Sequence, residues 1–343
     1  MPRACFRPYQ MHVYYTYFDR NYAVRAVAMF RSLWRNSGPL HMFMLCLDLD
    51  AYDAVVRLHL PDVTLLQLAE LEQKDPELLK VKASRSIVEY YFTITSCLGW
   101  YLMKIEPQIQ VLTYLDSDLF FYNPVEPLLQ EFEGQSIGAM YHCFPEDGLL
   151  RQGRYNVGWV SWRRDAAGTA CLEEYRRQCL DWCYLREEKG KYADQVYLDA
   201  WEKKPGFHAF QHRGANVASW NLGHCQLGYD HGGIQVNGDP LIFFHFHKFS
   251  ALNGNCFDTN LWLARRLTKR LRDRLILPYI DELRGTGLEL PLTGSHLRHF
   301  PYRHGLERWA KNMARIGLSL IRCTYVYYPP KVNDDSDVTL AVR

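Results

Sequence analysis

The sequence predicts an α/β fold built on a mostly parallel, Rossmann-like central sheet flanked by helices. Three observations carry this. Short apolar runs alternate with amphipathic stretches through the first half of the chain. Leu40–Leu47 is apolar almost throughout, as expected of a strand buried on both faces. Residues 111–121 run an apolar strand straight into Asp116 and Asp118, the strand-end position at which open α/β sheets bind ligands.

The elements follow in order. Met11–Phe18 is a β-rich run. Tyr22–Asn36 shows helical periodicity through Val24, Val27, Ala28, Phe30, Leu33 and Trp34, and stops at Gly38-Pro39. Leu40–Leu47 is a strand, Ala51–Leu58 a helix and Val63–Leu68 a strand. A long helix spans Ser84 to Ile105, and Val111–Leu115 is the strand before the carboxylates. In the second half Ser136–Tyr141 and Asn156–Trp162 read as strands, and Ala166–Arg186 and Ala193–Trp201 as helices. Leu241–Phe246 is an apolar strand leading into His247-Lys248. Beyond Asp258 the chain turns helical and basic. A boundary near 255 therefore divides a sheet-bearing domain, 1–255, from a helical C-terminal extension, 256–343.

Composition excludes several classes. With 48% hydrophobic and 14% aromatic residues, the chain is not disordered. A net charge of +2 over 343 residues gives no argument for nucleic acid. No GxGxxG follows the first strand and no P-loop occurs, against NAD-type and Walker-type phosphate binding. The ten cysteines show no CxxC or Cys/His zinc spacing, and Cys179 and Cys183 read as reduced thiols on one helix face. No window of about 18 apolar residues and no signal-peptide core appear. A cytoplasmic location is expected. Arg265–Arg322 holds 13 Lys/Arg against 5 Asp/Glu. Its stretches Leu261–Leu277 and Leu306–Ile321 are basic and amphipathic. They are compatible with two readings: solvated helices packed on the main domain, or peripheral contact with an anionic membrane face through 261–325.

Asp116 and Asp118 stand at i and i+2, so they point the same way on an extended chain. Two desolvated carboxylates repel each other and call for a cation, and hard oxygen ligands suit Mn²⁺ or Mg²⁺. Phe120, Phe121 and Tyr122 keep the following segment apolar before Asn123-Pro124 stops it.

Three further motifs join this pair in order: Asn156-Val157-Gly158-Trp159, Asp194-Gln195 at a helix start, and Phe244-His245-Phe246-His247-Lys248. Together they resemble the metal-dependent nucleotide-sugar glycosyltransferases of the GT-A fold. The likeness is to the retaining glycogenin-like and lipopolysaccharide galactosyl- and glucosyltransferase group, and it covers about residues 11–250. It implies that Asp116, Asp118 and His245 hold Mn²⁺ (or Mg²⁺), with Asp116 also near the donor ribose. His247 shares a face with His245 on an extended chain, so register leaves both open as ligands and only the family pattern favours His245. The resemblance further implies that Gln195 lies beneath the anomeric carbon, that Asp194 holds donor-sugar hydroxyls, and that Lys248 neutralises the diphosphate. Tyr14, Thr16 and Asp19 would meet the base and ribose, and Arg85 would make a basic nucleotide contact. Asn156 and Gly158 would line the sugar cleft, and Asn216, Trp220 and Asn221 would contact sugar.

The implied reaction moves a hexose from a nucleotide diphosphate sugar, UDP-linked by resemblance, to a hydroxyl of a saccharide or glycolipid acceptor in polysaccharide or lipopolysaccharide synthesis. Retention of configuration is expected. Two departures bear on it: Lys248-Phe249-Ser250 replaces the Lys-Pro-Trp of glycogenin-like enzymes, and Asp199 stands where that group has Asn. An inverting enzyme of the same fold, with Asp147 or Asp194 as base, and a non-catalytic sugar-nucleotide or glycan-binding protein are the alternatives.

Overall fold

The computed structural model describes residues 12–143, 152–231, 233–253, 255–261, 264, 266–290 and 324–328. Seven strands form the central sheet: β1 (His12–Phe18), β2 (His41–Cys46), β3 (Val63–Gln67), β4 (Val111–Leu115), β6 (Ile137–Tyr141), β7 (Tyr155–Arg163) and β8 (Phe207–Phe210). Their order is β3-β2-β1-β4-β7-β6-β8, and only β7 runs antiparallel to its neighbours. The sheet is thus mixed but mostly parallel, as the alternation of apolar runs and amphipathic stretches predicts. Strand β2 is buried at every position, which its unbroken apolar run required.

Helices α1 (Ala23–Ser37) and α2 (Leu49–Val56) connect the first strands. Helices α3 (Leu68–Lys74) and α4 (Pro76–Lys82) precede α5 (Ile87–Ile105), which opens on a Ser86/Glu89 capping box. After α6 (Glu126–Glu131), α7 (Ala166–Asp181) stops short of the expected Arg186. The expected helix over 193–201 is instead a 3₁₀ helix, Gln195–Lys203. Ala193 takes a left-handed φ of 48°, which breaks regular entry, and Asp194 sits at the cap without capping it.

A second, small sheet positions the site. Strand β5 (Leu119–Phe121) pairs antiparallel with β13 (Phe243–His245), and β13 runs parallel to β9 (Val217–Ala218). This pairing sets His245 opposite Leu119, and Phe246 N–H donates to the Asp118 carbonyl at 2.9 Å. Between β9 and β13 lies an antiparallel meander of β10 (Leu227–Asp230), β11 (Gly233–Val236) and β12 (Asp239–Pro240).

The segment after 255 is not wholly helical. Strands β14 (Ser250–Asn253), β15 (Cys256–Asp258) and β16 (Tyr325–Tyr327) form a three-stranded sheet. The chain then passes through Lys269–Leu271 and a π turn, Arg272–Ile276, into α8 (Leu277–Glu289). Leu271, Leu275, Ile276, Tyr279, Ile280 and Leu283 sit in the same core cluster as Ala26, Phe30 and Phe121. Core residues on both sides of position 255 therefore pack together. Among the described residues of the stretch 261–277, Leu261, Leu267, Leu271, Leu275 and Ile276 are buried in that core, as expected of helices packed on the main domain. No helix of the described residues is long and apolar enough to cross a membrane. The stretch 306–321 lies outside the described residues.

Arg85 corrects one sequence expectation. It is buried, and its guanidinium donates to Thr93 Oγ1 at 3.1 Å and to the carbonyls of Cys183, Cys179 and Leu180 at 2.8, 3.0 and 2.8 Å. It also stacks over Tyr184 at 4.5 Å. These are the orphan carbonyls at the end of α7, so this arginine closes a helix rather than touching a nucleotide. Arg85→Met should leave those carbonyls buried and unpaired, costing about 3 kcal/mol in urea unfolding. A raised donor KM with unchanged unfolding would contradict this role.

Candidate active site

Strand β4 ends buried, and the chain turns at Asp116-Ser117-Asp118. Asp116 N–H donates to the Gly158 carbonyl at 3.0 Å, and the Tyr114 hydroxyl donates to Asp116 Oδ1 at 2.8 Å. His245, 3% exposed, places Nε2 3.0 Å from Asp118 Oδ1 and 3.5 Å from Asp116 Oδ2. His247 brings a nitrogen into the same group: ligand atoms of Asp118, His245 and His247 all lie within 4.8 Å of one another. The structure therefore gathers both histidines beside Asp118, rather than choosing between them.

Gly158 has a steric reason. A Cβ there would lie 2.6 Å from Asn156 Oδ1 and 3.1 Å from His245 Nδ1. Strand β7 can pass behind the imidazole only without a side chain. Below it, the Trp159 and Phe243 rings stack at 5.7 Å and 11°.

The charges divide unevenly. Burial opposes ionisation of Asp118, but the His245 imidazole beside it and the Arg25 cation hold its carboxyl well below the usual range. Burial and repulsion from Asp118 push Asp116 up, against the pull of His245 and the Tyr114 hydroxyl. His245 is raised: burial works against its charge, and the two carboxylates overcome that.

The donor set fits a divalent cation. Adjacent ligands of an octahedral ion with bonds of about 2.1 Å lie roughly 3 Å apart, which the Asp118–His245 separation of 3.0 Å matches. Mixed carboxylate and imidazole donors suit Mn²⁺.

Asp116, His245 and His247 open into a cleft of about 370 Å³. Asn156, Asp194, Gln195, Trp220 and Lys248 also line it. Asp194 is 5% exposed, and burial together with the nearby Asp116 charge pushes its carboxyl up to about 7, although backbone and Tyr175 hydrogen bonds favour the anion. Gln195 Oε1 accepts from Asn156 Nδ2 at 3.3 Å. Trp220 meets His245 edge-on at 5.1 Å and donates to the His142 carbonyl at 2.9 Å.

Other expected contacts lie elsewhere. Tyr14 and Thr16 are 3% and 0% exposed and point into the α1 side of the sheet. Tyr17, on the opposite face of β1, lines the cleft instead. Asp19 closes a turn, accepting from the N–H groups of Asn21 and Tyr22 at 2.9 and 3.2 Å. Asn216 and Asn221 sit behind the wall: Asn216 donates to the Tyr141 carbonyl at 2.9 Å, and Asn221 to the His142 carbonyl at 3.2 Å. Asp199 receives Arg154 N–H at 2.8 Å and anchors the start of β7. Asp147 lies outside the described residues. Sequence reading missed His142 and Gln152, both of which line the cleft. His142 directly follows a predicted strand, the signal that singled out Asp116.

No protein-family model matches the chain. It is 32% identical over 253 residues to the uncharacterized protein YfnF of Bacillus subtilis (strain 168), covering 71% of this chain and 83% of that one. It is 28% identical over 275 residues to the uncharacterized protein YfnD of the same organism, covering 78% and 88%. Among solved structures, mouse xyloside xylosyltransferase 1 aligns with a TM-score of 0.46 at 16% identity, covering 69% of this chain and 97% of that one. The galactosyltransferase LgtC aligns at 0.47 and 17%, covering 80% and 99%. The glycosyltransferase GlyE of Streptococcus pneumoniae TIGR4 aligns at 0.47 and 15%, covering 94% and 66%.

Two predictions test this geometry. Gly158→Ala should displace His245 and weaken Mn²⁺ binding, read by calorimetry, in a protein that still folds. For Asp194, the folded form holds its proton up to about pH 7, against roughly 4 for an unperturbed Asp. Its contribution to stability is therefore present below about pH 4 and lost as pH rises through 7. The Tm advantage of metal-free Asp194→Asn over wild type should grow from about pH 5 to 8; a constant difference would place the titration elsewhere.

Proposed function

This chain belongs to the family of Bacillus subtilis YfnF, and we propose that it is a metal-dependent glycosyltransferase. It transfers a hexose from a nucleotide diphosphate sugar, UDP-linked by resemblance, to a hydroxyl of a saccharide acceptor. The observation that carries this reading is the convergence of Asp118, His245 and His247 within 4.8 Å, beside a cleft that Asp116, His245, His247, Asp194 and Gln195 line. That likeness in local arrangement to the sequence motifs supports the reading; the overall alignments to solved structures are too loose to add to it.

Asp118, His245 and His247 would hold the cation, with Asp116 completing the acidic edge. A bound divalent ion supplies Lewis-acid stabilisation of negative charge on a departing diphosphate. The protein's own groups do the rest. Lys248, on the rim, adds positive charge toward the same phosphates. Asp194, mostly protonated below neutrality, offers a donor and an acceptor to sugar hydroxyls. Gln195 presents an amide carbonyl, whose dipole stabilises positive charge developing at an anomeric carbon. An amide is a poor base and a poor nucleophile, which favours front-face retention. A base at Asp194 is disfavoured where its carboxyl still holds its proton.

A thermal-shift panel of nucleotide sugars tests the proposal. The matching donor with Mn²⁺ at a hundredfold excess should stabilise by about 3 kcal/mol, roughly 5 °C or more. Omitting Mn²⁺, or substituting Asp118→Ala, should remove most of that shift, and turnover of the variant should fall roughly 10²- to 10³-fold. Stabilisation without hydrolysis or transfer to any saccharide would make the protein a binding module instead. No stabilisation by any nucleotide sugar would overturn the reading.

A further inference from the structure

A directed chain of hydrogen bonds runs behind Gln195. Gly158 N–H donates to Asn156 Oδ1 at 2.9 Å. A backbone N–H can only donate, so the accepting atom must be the amide oxygen. This settles which way round the Asn156 amide lies. Its nitrogen faces His142 Nε2 at 3.2 Å and Gln195 Oε1 at 3.3 Å, one acceptor for each N–H. His142 Nε2 must then carry a lone pair, and the ring proton sits on Nδ1, where it donates to the Gly153 carbonyl at 3.2 Å. Burial, with a smaller push from His245, drives the His142 pKa down to about 3 against the pull of that carbonyl, which keeps the ring neutral. At the far end Gln195 Nε2 donates to the Gln152 carbonyl at 2.5 Å.

Gln195 is thus clamped at both ends of its amide. Were Asn156 reversed, it would present oxygen to Gln195, and the Gln195 amide would have to turn its NH₂ inward. That would put a positive edge where the proposed chemistry needs a negative one. Reversal is opposed at two points: it would set the Asn156 NH₂ against the Gly158 N–H donor, and a bare His142 Nε2 has no proton to donate to an amide oxygen.

We propose that His142 is a positioning residue that sets the sense of the Gln195 amide through Asn156. Its effect on catalysis rests on the glycosyltransferase reading; its effect on Gln195 does not. Trp220 and Asn221 bond to the His142 backbone carbonyl, so substitution of the ring leaves those contacts in place.

The test uses the full chain and two variants. His142→Leu removes both ring functions. His142→Gln keeps them, since a carboxamide can accept from Asn156 and donate to Gly153. In wild type, nitrogen-15 NMR should show His142 protonated at Nδ1, bare at Nε2, and without titration between about pH 5 and 8.5. The Gln195 side-chain amide signals should move and exchange faster in His142→Leu and return in His142→Gln. Transfer kcat should fall roughly 10- to 100-fold in the Leu variant, with donor KM and Mn²⁺ affinity nearly unchanged, and the Gln variant should recover most of it. An Nε2-protonated ring, a titration in that range, or wild-type Gln195 signals in His142→Leu would overturn the proposal. If His142→Leu does not fold, the wild-type tautomer and the Gln variant decide alone. If wild type turns over no donor while the NMR results hold, the glycosyltransferase reading falls and the positioning role stands.

Discussion

The site depends on bringing two carboxylates and an imidazole together out of water. Isolated, each ion would cost several kcal/mol to bury. They are tolerated because each arrives on backbone that is already committed. Asp116 leaves β4 with its N–H bonded to Gly158, and the Asp118 carbonyl receives Phe246 N–H at 2.9 Å. His245 is the last residue of β13, paired against β5. Two strand ends that would otherwise be solvated turns are thus pinned to one another. Charge complementarity between Asp118 and His245 then offsets part of the desolvation that their burial imposes.

That arrangement explains the aromatic load beneath it. Phe121, Trp159 and Phe243 fill the space under β5 and β13, and Phe246 stacks on Tyr279 of α8 with centroids 3.8 Å apart. Rigid rings lose little side-chain entropy and bury large areas. They make a firm floor for groups that must hold position to within fractions of an ångström. Helix α8 belongs to this floor. The ion pairs Arg31–Glu289 and Arg35–Glu282 between α1 and α8 are partly exposed additions worth little individually.

How much of this could be read in the sequence follows from which signals are local. The β4 strand and its two carboxylates were legible because an apolar run that ends in charge is a local pattern. The partnership with His245 came only through the order of motifs, since 127 residues of chain separate it from Asp118 and no local rule predicts β5–β13 pairing. Strand β1 shows a different limit. Its position was clear, but aromatic residues stand on both of its faces, so periodicity could not say whether Tyr14 and Thr16 or Tyr15 and Tyr17 face the cleft side. Arg85 failed for a third reason. A cation before an aromatic run reads as a ligand contact, whereas its partners are carbonyls of α7 about a hundred residues on, and carbonyl groups have no sequence signature.

The same charges imply how the site would exchange occupants. The carboxylates of Asp118 and Asp116 favour the protonated form of the His245 imidazole. An incoming metal ion needs that nitrogen's lone pair, so it must displace the proton. In the proposed metal site the proton and the metal would be alternative counter-ions for one acidic pair. Asp194, across the cleft, feels Asp116 as a repulsive charge, and any cation that neutralises Asp116 would ease ionisation of Asp194. A cation held as proposed would thus be linked through Asp116 to the protonation of Asp194, and the partial exposure of Asp116 leaves it open to both.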